Sequence, residues 1–226
     1  MFEYRGIKIA WLGHDGFRIE SDKTIYIDPF RIDSTKKADV VFVTHEHYDH
    51  CSPEDIKKIA TEDTAIVTIP LALPALKGLK VKGIKLVKPG DKIEIDGVTA
   101  AIFPAYNINK FRSPGRAFHP REDGKVSYLL NTGGVNIYHA GDSDFIPEMH
   151  GLEADIALLP VSGTYVMTAK EAAEAAKNMR IKVAIPMHYG SIVGSERDAE
   201  EFKRLAGCEV VILKKEEEIY RYRQNL

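Results

Sequence analysis

The chain has 226 residues, of which 44% are hydrophobic and 28% are charged, a composition typical of a soluble globular protein. Its formal net charge of −2 excludes an overall electrostatic attraction to nucleic acid or to an anionic membrane surface. No apolar segment is long enough to span a membrane, and the charged first residues are unlike a signal peptide, so we expect a cytoplasmic protein.

The cysteine content and the length limit the possible disulfides and the number of domains. Cys51 and Cys208 are far apart in sequence and do not form a disulfide framework, which favours a reducing compartment. Cys51 is expected to be a buried bystander. The length allows one large domain or two small ones, and we predict a single domain over residues 1–226.

Alternating apolar and polar residues predict three strands near the N-terminus, at residues 7–12, 17–20 and 24–27. His14 lies in the turn after the first strand and Asp28 at the end of the third, and functional groups collect at such positions. From the residues alone, His14 is equally well explained as a turn residue. Asp28 is either a cap or a carboxylate that orients a ligand histidine, and the second interpretation is favoured.

Metal-binding side chains are concentrated in one heptapeptide, Thr-His-Glu-His-Tyr-Asp-His at residues 44–50, directly after the apolar strand 40–43. His45 and His47 are two residues apart in an extended segment, so both rings point the same way. Asp49 and His50 follow where the chain turns and can face a second ion. Imidazoles and a carboxylate suit zinc, iron or manganese. The alternative is a polar loop that happens to be rich in histidine, but chance explains this spacing poorly.

The middle of the chain alternates helices and strands. Ser52-Pro53-Glu54-Asp55 is a helix start, because serine caps free N–H groups and proline suits the first helical position. The predicted elements are a helix at 52–60, a strand at 64–69, a short helix at 74–77, and strands at 84–87, 91–95 and 98–103. This pattern predicts a mixed sheet covered by helices.

Residues 107–125 are polar and rich in turn residues, and a loop of this length is usually functional or disordered. The loop carries the cations Lys110, Arg112, Arg116, Arg121 and Lys125. One interpretation is a lid whose cations meet an anionic substrate such as a phosphate ester. The other, favoured for any single cation, is a solvated surface loop.

The last third of the chain places further polar side chains at the ends of strands. A hairpin at 126–139 leads to His139 and Asp142, and a strand at 183–185 leads to His188. The remaining predicted elements are a strand at 156–159, a helix at 168–180 opened by a Thr-Ala-Lys-Glu capping box, a helix at 196–206, and two terminal strands around a charged turn at 214–218.

The H-x-H-x-D-H pattern after an apolar strand resembles the signature of the metallo-β-lactamase superfamily, whose members bind one or two metals. Four further segments resemble one branch of this superfamily, the UlaG-like metal-dependent hydrolases. N-acyl phosphatidylethanolamine phospholipase D is a more distant relative within the same resemblance. These segments are Trp-Leu-Gly-His at 11–14, Ile-Asp-Pro-Phe at 27–30, Tyr-His-Ala-Gly-Asp at 138–142 and Ile-Pro-Met-His-Tyr-Gly at 185–190. The resemblance covers residues 6–190 and implies an α/β (α+β) fold, the four-layer αββα sandwich.

The resemblance also implies roles for residues. Site one would take His45 and His47, site two would take Asp49, His50 and His188, and Asp142 would bridge the two metals. His14 would lie at the rim or behind the ligands, and His139 is expected behind them or in the core.

One position departs from the superfamily pattern. Many members carry a third histidine for site one where this chain has Asn107. Three outcomes stay open: Asn107 binds weakly through its carbonyl oxygen, His119 enters from the following loop, or site one is left under-coordinated.

These features together predict a metal-dependent hydrolase with one or two divalent ions, zinc being favoured over manganese or iron. A hydroxide formed at the metals would attack phosphorus or carbonyl carbon, with Asp49 or a bound water passing a proton to the leaving group. The expected substrate is a small anionic ester, a phosphodiester or a lactone phosphate. The alternatives are a lactonase or amidase acting on an uncharged substrate, and a catalytically idle metal-binding scaffold. We expect no nucleic-acid partner, and the sequence is compatible with a monomer or a homo-oligomer.

Overall fold

The computed structural model describes residues 1–34 and 36–216. A first sheet of seven strands follows the order of the sequence, and its last four strands run parallel. These strands are β1 (Phe2–Tyr4), β2 (Ile7–Gly13), β3 (Gly16–Glu20), β4 (Thr24–Ile27), β5 (Val40–Phe42), β6 (Ala65–Thr68) and β7 (Gly83–Leu86).

A second sheet of seven strands has the order β16-β15-β14-β13-β12-β9-β8. Its strands are β8 (Lys92–Ile95), β9 (Val98–Pro104), β12 (Val126–Thr132), β13 (Val135–His139), β14 (Ile156–Pro160), β15 (Val183–Met187) and β16 (Glu209–Val210). The predicted hairpin is confirmed, because β12 and β13 pair antiparallel. From β13 to β16 the strands run parallel.

The two sheets face one another across an apolar core. The ring of Phe42 contacts that of Tyr128 from the other sheet, and the Tyr128 hydroxyl donates to the Val43 carbonyl at 2.8 Å. The helices are α1 (Pro53–Ile59), α2 (Leu73–Leu76), α3 (Ala169–Asn178) and α4 (Glu196–Leu205), of which α3 and α4 pack on β14 and β15. The predicted four-layer sandwich is confirmed.

Parallel strands determine where the functional side chains gather. The carboxyl ends of neighbouring parallel strands meet at one edge of a sheet, and ligands bind there in α/β proteins. In the first sheet β4 leads to Asp28 and β5 leads to His45. In the second sheet β13 leads to Asp142 and β15 leads to His188. Both edges therefore deliver polar side chains to one crevice.

Several predicted elements need correction. β1 was not predicted, and the loop 107–125 contains two short paired strands, β10 (Phe111–Ser113) and β11 (Arg116–Ala117). After α4 the described residues contain one strand, β16, rather than two; the second predicted strand and the end of the charged turn lie outside the described residues. Among the described residues, no helix is both long and apolar enough to cross a membrane.

The predicted capping box of α3 is confirmed, and it gives a stability prediction. The Thr168 hydroxyl accepts from the Glu171 N–H at 3.2 Å, and the Glu171 carboxylate accepts from the Thr168 N–H at 2.8 Å. Thr168→Ala is expected to lower the free energy of unfolding by about 1 kcal/mol, because one N–H of the first turn loses its acceptor. Urea denaturation measures this, with the exposed Lys170→Ala in the same turn as the control. Equal stability of the two variants would contradict it.

Candidate metal centre

Two groups of side chains meet in the crevice between the sheet edges. The first group is His45, His47, His119 and Asp142, and the second is His14, Asp15, His50 and His188. Within each group, one ligand atom from each residue lies within 4.8 Å of the others. All of these side chains except His47 are buried, so the open side of the centre is at His47.

The first group has the spacing of a tetrahedral metal site. The Nδ1 atom of His47 lies 3.0 Å from His45 Nε2 and 3.4 Å from His119 Nε2. The Oδ2 atom of Asp142 lies 3.2 Å from His119 Nε2 and 3.8 Å from His45 Nε2. Four ligands bound at 2.0–2.2 Å around one tetrahedral ion are about 3.4 Å apart. Three nitrogens and one oxygen therefore surround a space of the right size.

The second group reaches the first through the same aspartate. The Oδ1 atom of Asp142 lies 3.3 Å from His50 Nε2 and 3.5 Å from His188 Nε2. One carboxylate thus turns one oxygen toward each group, which is the arrangement of a bridging ligand.

Each buried histidine except His14 is oriented by a partner on its far nitrogen. Nδ1 of His50 is 2.8 Å from Asp28 Oδ2, and Nδ1 of His188 is 2.9 Å from Ser162 Oγ. The other two such pairs are His45 Nδ1 with Thr44 Oγ1 at 3.0 Å and His119 Nδ1 with Asn107 Oδ1 at 3.0 Å. Because Nδ1 is occupied, Nε2 is the atom presented to the centre, and such partners fix ring orientation and ligand basicity.

The backbone is strained at three of these positions. His14, Asp28 and His188 have φ values of 50°, 44° and 59°, in the left-handed region that non-glycine residues rarely adopt. Strain of this kind is held by the surrounding structure and clusters at functional sites. At His188 it turns the chain directly after β15, whose last residue is Met187.

Buried polar atoms without partners show that this donor set fits a metal. His50 Nε2, Asp142 Oδ1 and both carboxylate oxygens of Asp15 are buried and have no hydrogen-bond partner among the described residues. Leaving such groups unsatisfied costs several kilocalories per mole. A divalent cation would satisfy all of these atoms at once.

The two groups differ in the pKa values of their histidines. Burial lowers the pKa of His45 well below its usual value, and burial with the nearby Lys125 lowers the pKa of His47 to about 4. For His50, burial also lowers the pKa, but Asp142 and Asp28 outweigh it and hold the pKa well above the usual value. His45 and His47 are therefore neutral at pH 7 and ready for a metal, whereas His50 carries a proton in the metal-free protein.

Comparison with known proteins identifies the family. The model of the beta-lactamase superfamily domain matches residues 8–188, which include both groups. The chain belongs to the metallo-β-lactamase superfamily. Within this superfamily it is 35% identical to a metal-dependent hydrolase of Pyrococcus horikoshii, over 94% of this chain and 99% of the relative.

Two solved structures resemble it over more than nine-tenths of each chain. A metal-dependent hydrolase from Parabacteroides distasonis has a TM-score of 0.79 and 31% identity, covering 92% of this chain and 94% of that one. Igni18, a metallo hydrolase from Ignicoccus hospitalis, has a TM-score of 0.73 and 25% identity, covering 92% and 95%.

Asn107 departs from the superfamily pattern, and the structure shows which of the three outcomes it favours. His119 enters the first group, and Asn107 lies behind it, accepting from the His119 backbone N–H at 2.9 Å. The Asn107 amide donates to Asp144 Oδ1 at 3.2 Å and to the Tyr165 carbonyl at 2.8 Å. Asn107 thus lies behind His119, with its side-chain oxygen and nitrogen both engaged by protein groups.

Asp49 lies differently from its predicted place in site two. It belongs to neither group, and its Oδ2 atom lies 3.1 Å from His14 Nε2. Burial raises the Asp49 pKa, but the hydrogen bond with His14 outweighs this and brings it to about 2. His14, predicted at the rim or behind the ligands, instead belongs to the second group.

Asp15 was missed by the sequence analysis altogether. A single aspartate in a Gly-His-Asp-Gly turn carries no spacing signal, so only its position beside His14 could have pointed to it. His139 stays outside both groups, as expected. Cys51 is buried and belongs to neither group, and burial raises the pKa of its thiol to about 12, so it stays protonated.

Proposed function

We propose that this metal-dependent hydrolase binds two divalent ions. His45, His47 and His119 hold the first, His50 and His188 hold the second, and Asp142 bridges them. The observation that carries the proposal is the Asp142 carboxylate, with one oxygen directed at each group of histidines. When bound, such ions lower the pKa of coordinated water to about 7 and so supply a nucleophile at neutral pH.

The substrate approaches from the side of His47. A cleft of about 730 Å³ opens beside this residue and is lined partly by the segment around β10 and β11. We assign the proton transfer to the leaving group to Asp49, because its side chain is partly exposed and ionised at neutral pH.

A small anionic ester, a phosphodiester or a lactone phosphate, is the preferred substrate class. Its support is Arg116, which is exposed and lines the cleft, and whose guanidinium makes no hydrogen bond or ion pair within the described part of the chain. A guanidinium in this position can bind an anionic oxygen by two hydrogen bonds.

The other loop cations are already engaged, which favours an uncharged ester as the second candidate. Lys110 pairs with Asp144 and Glu171, and the fully buried Lys125 pairs with Glu46. The remaining two cations lie over aromatic rings, Arg112 over Phe118 and Arg121 over Tyr106, where Arg121 also pairs with Glu148. In addition, Ile108 and Phe111 expose about half of their surface at the cleft.

Arg116→Ala distinguishes the two substrate classes. For an anionic ester we expect KM to rise about tenfold, because a hydrogen bond to a charged group is lost. Turnover of bis-p-nitrophenyl phosphate and of a panel of neutral lactones measures this. Arg121→Ala, in the same cleft but paired with Glu148, is the matched control and should change KM little. A KM for the phosphodiester that Arg116→Ala leaves unchanged would favour the neutral substrate.

Elemental analysis of protein purified without added metal tests the centre itself. We expect close to two ions per chain, and the same analysis identifies zinc, manganese or iron. Metal binding without turnover of any ester would favour the scaffold alternative. The cytoplasmic location stays a prediction from the sequence.

A further inference from the structure

Asp15 and Asp49 are the two carboxylates considered for completing the second metal site. The structure favours Asp15, which is not part of the H-x-H-x-D-H pattern. We propose that Asp15 is a ligand of the second metal ion. The inference rests on the proposed two-metal centre and adds to it the residue that distinguishes its second site.

The Asp15 carboxylate lies among the imidazoles of the second group. Its Oδ2 atom lies 3.5 Å from His50 Nε2, 3.8 Å from His14 Nε2 and 3.9 Å from His188 Nε2. Three imidazole nitrogens and one carboxylate oxygen therefore enclose a space slightly wider than the first site, in which the measured separations are 3.0–3.8 Å. Ligands bound at 2.0–2.2 Å would draw these atoms only a few tenths of an ångström closer, to about 3.4 Å.

The Asp15 carboxylate is also buried without a hydrogen bond from the described part of the chain. The residue is 0% exposed, and neither oxygen has a hydrogen-bond partner among the described residues. A buried carboxylate that forms no hydrogen bond is strongly disfavoured unless a cation binds it. Asp49 differs on both counts, because its side chain is 16% exposed and one oxygen is already paired with His14.

The backbone of Asp15 is tied to the bridging aspartate. The Asp15 carbonyl accepts from His139 Nε2 at 2.9 Å, and His139 Nδ1 accepts from the Gly141 N–H at 3.1 Å. One buried imidazole therefore joins the turn that carries Asp15 to the residue before Asp142. His139 acts as a positioning residue that fixes the two carboxylates relative to one another before any metal binds.

This assignment makes the two sites chemically different. The first offers three nitrogens and one oxygen, whereas the second offers the Nε2 atoms of His50 and His188 with oxygens from both Asp15 and Asp142, and His14 beside them. Additional carboxylate oxygens and more than four ligands favour manganese or iron over four-coordinate zinc. We therefore expect the second site to select Mn²⁺ or Fe²⁺ more strongly than the first.

The test is equilibrium dialysis of chelator-treated protein against Mn²⁺, with bound metal measured by mass spectrometry. We expect wild-type protein to bind two ions, and Asp15→Asn to bind the second at least ~100-fold more weakly, since loss of a partner behind a ligand alone costs 10- to 100-fold. Asp49→Asn is the matched control, an equivalent change beside the same histidines, and should keep both ions.

A second measurement does not depend on the variants folding. In wild-type crystals soaked in Mn²⁺, anomalous scattering should place the second ion about 2.2 Å from an Asp15 oxygen. Metal-free Asp15→Asn should melt no lower than metal-free wild type, because neither oxygen of Asp15 has a hydrogen-bond partner to lose among the described residues.

The outcomes separate the two proposals. Two ions bound with unchanged affinity by Asp15→Asn, or a second ion more than about 3 Å from Asp15 in the crystal, would overturn the assignment and leave the two-metal centre intact. Loss of the second ion in Asp49→Asn but not in Asp15→Asn would assign that ligand to Asp49. Failure of wild-type protein to bind any metal would overturn the proposed function itself.

Discussion

Asp142→Ala is expected to remove both metal ions and to lower hydrolysis by at least ~1000-fold, because a single side chain serves both groups of histidines. Its Oδ2 atom faces His119 at 3.2 Å, and its Oδ1 atom faces His50 at 3.3 Å. Among the described residues, Asp142 supplies the only carboxylate of the first group. Without Asp142, site one keeps only imidazole nitrogens, and site two keeps one of its two proposed carboxylates.

The control for this prediction is a carboxylate that is buried outside the centre. Asp55 in α1 is 5% exposed and accepts from the backbone N–H groups of Arg31 and Ile32 at 2.8 and 3.1 Å. Asp55→Asn should lower the melting temperature but keep the metal content of wild-type protein. Metal analysis and a thermal melt of both variants decide the matter. Retention of one ion in Asp142→Ala would show that the site holding that ion does not depend on this residue.

Local pattern was sufficient to predict much of the fold and the core of the centre. The apolar run at 40–43 and the histidines that follow it lie within ten residues of one another, so strand, turn and ligands are all encoded locally. The ends of the later strands were predicted for the same reason, since the Gly-Asp step at Asp142 and the histidine after β15 directly follow buried strands. The structure brings these separate segments together in one crevice.

The parts that could not be predicted depend on contacts between distant segments. Whether Asn107 or His119 completes the first group is decided by β10 and β11, a pair of very short strands with no clear apolar pattern, which fold His119 back toward His47. Asp15 could not be predicted as a ligand for a related reason. Its burial against His50 and His188 is a property of three separate chain segments, and none of them alone marks an aspartate as a ligand.

The loop cations show how tertiary pairing changes a functional interpretation. The composition of residues 107–125 indicates a positively charged surface that could bind an anion. In the folded chain Lys125 is buried against Glu46, directly beside His47, and Lys110 is held by Glu171 at 2.8 Å. Their charge is largely cancelled before any substrate arrives. An anionic substrate is therefore supported by Arg116 much more than by the number of cations.

The two sites should load with different pH dependences. His45 and His47, whose pKa values are lowered, are neutral above about pH 6, so affinity for the first ion should be nearly constant up to about pH 8. His50, whose pKa is held well above its usual value by Asp142 and Asp28 against the effect of burial, must lose a proton before its Nε2 atom can bind an ion. Because this pKa is raised, a proton competes with the ion for His50 Nε2 up to a higher pH. Affinity for the second ion should therefore rise by about tenfold per pH unit between about pH 6 and about pH 8.

Isothermal titration calorimetry of the metal-free protein, repeated in buffers of different ionisation enthalpy, measures the protons released with each ion. We expect release of at least one proton with the second ion and close to none with the first at pH 7. Asp28→Asn supplies the control, because removal of its charge lowers the pKa of His50 and should move the rise in affinity to lower pH. Equal proton release at both sites would mean that the Asp142 charge does not act on His50 as the structure indicates, because the proximity of that carboxylate is what separates the two groups.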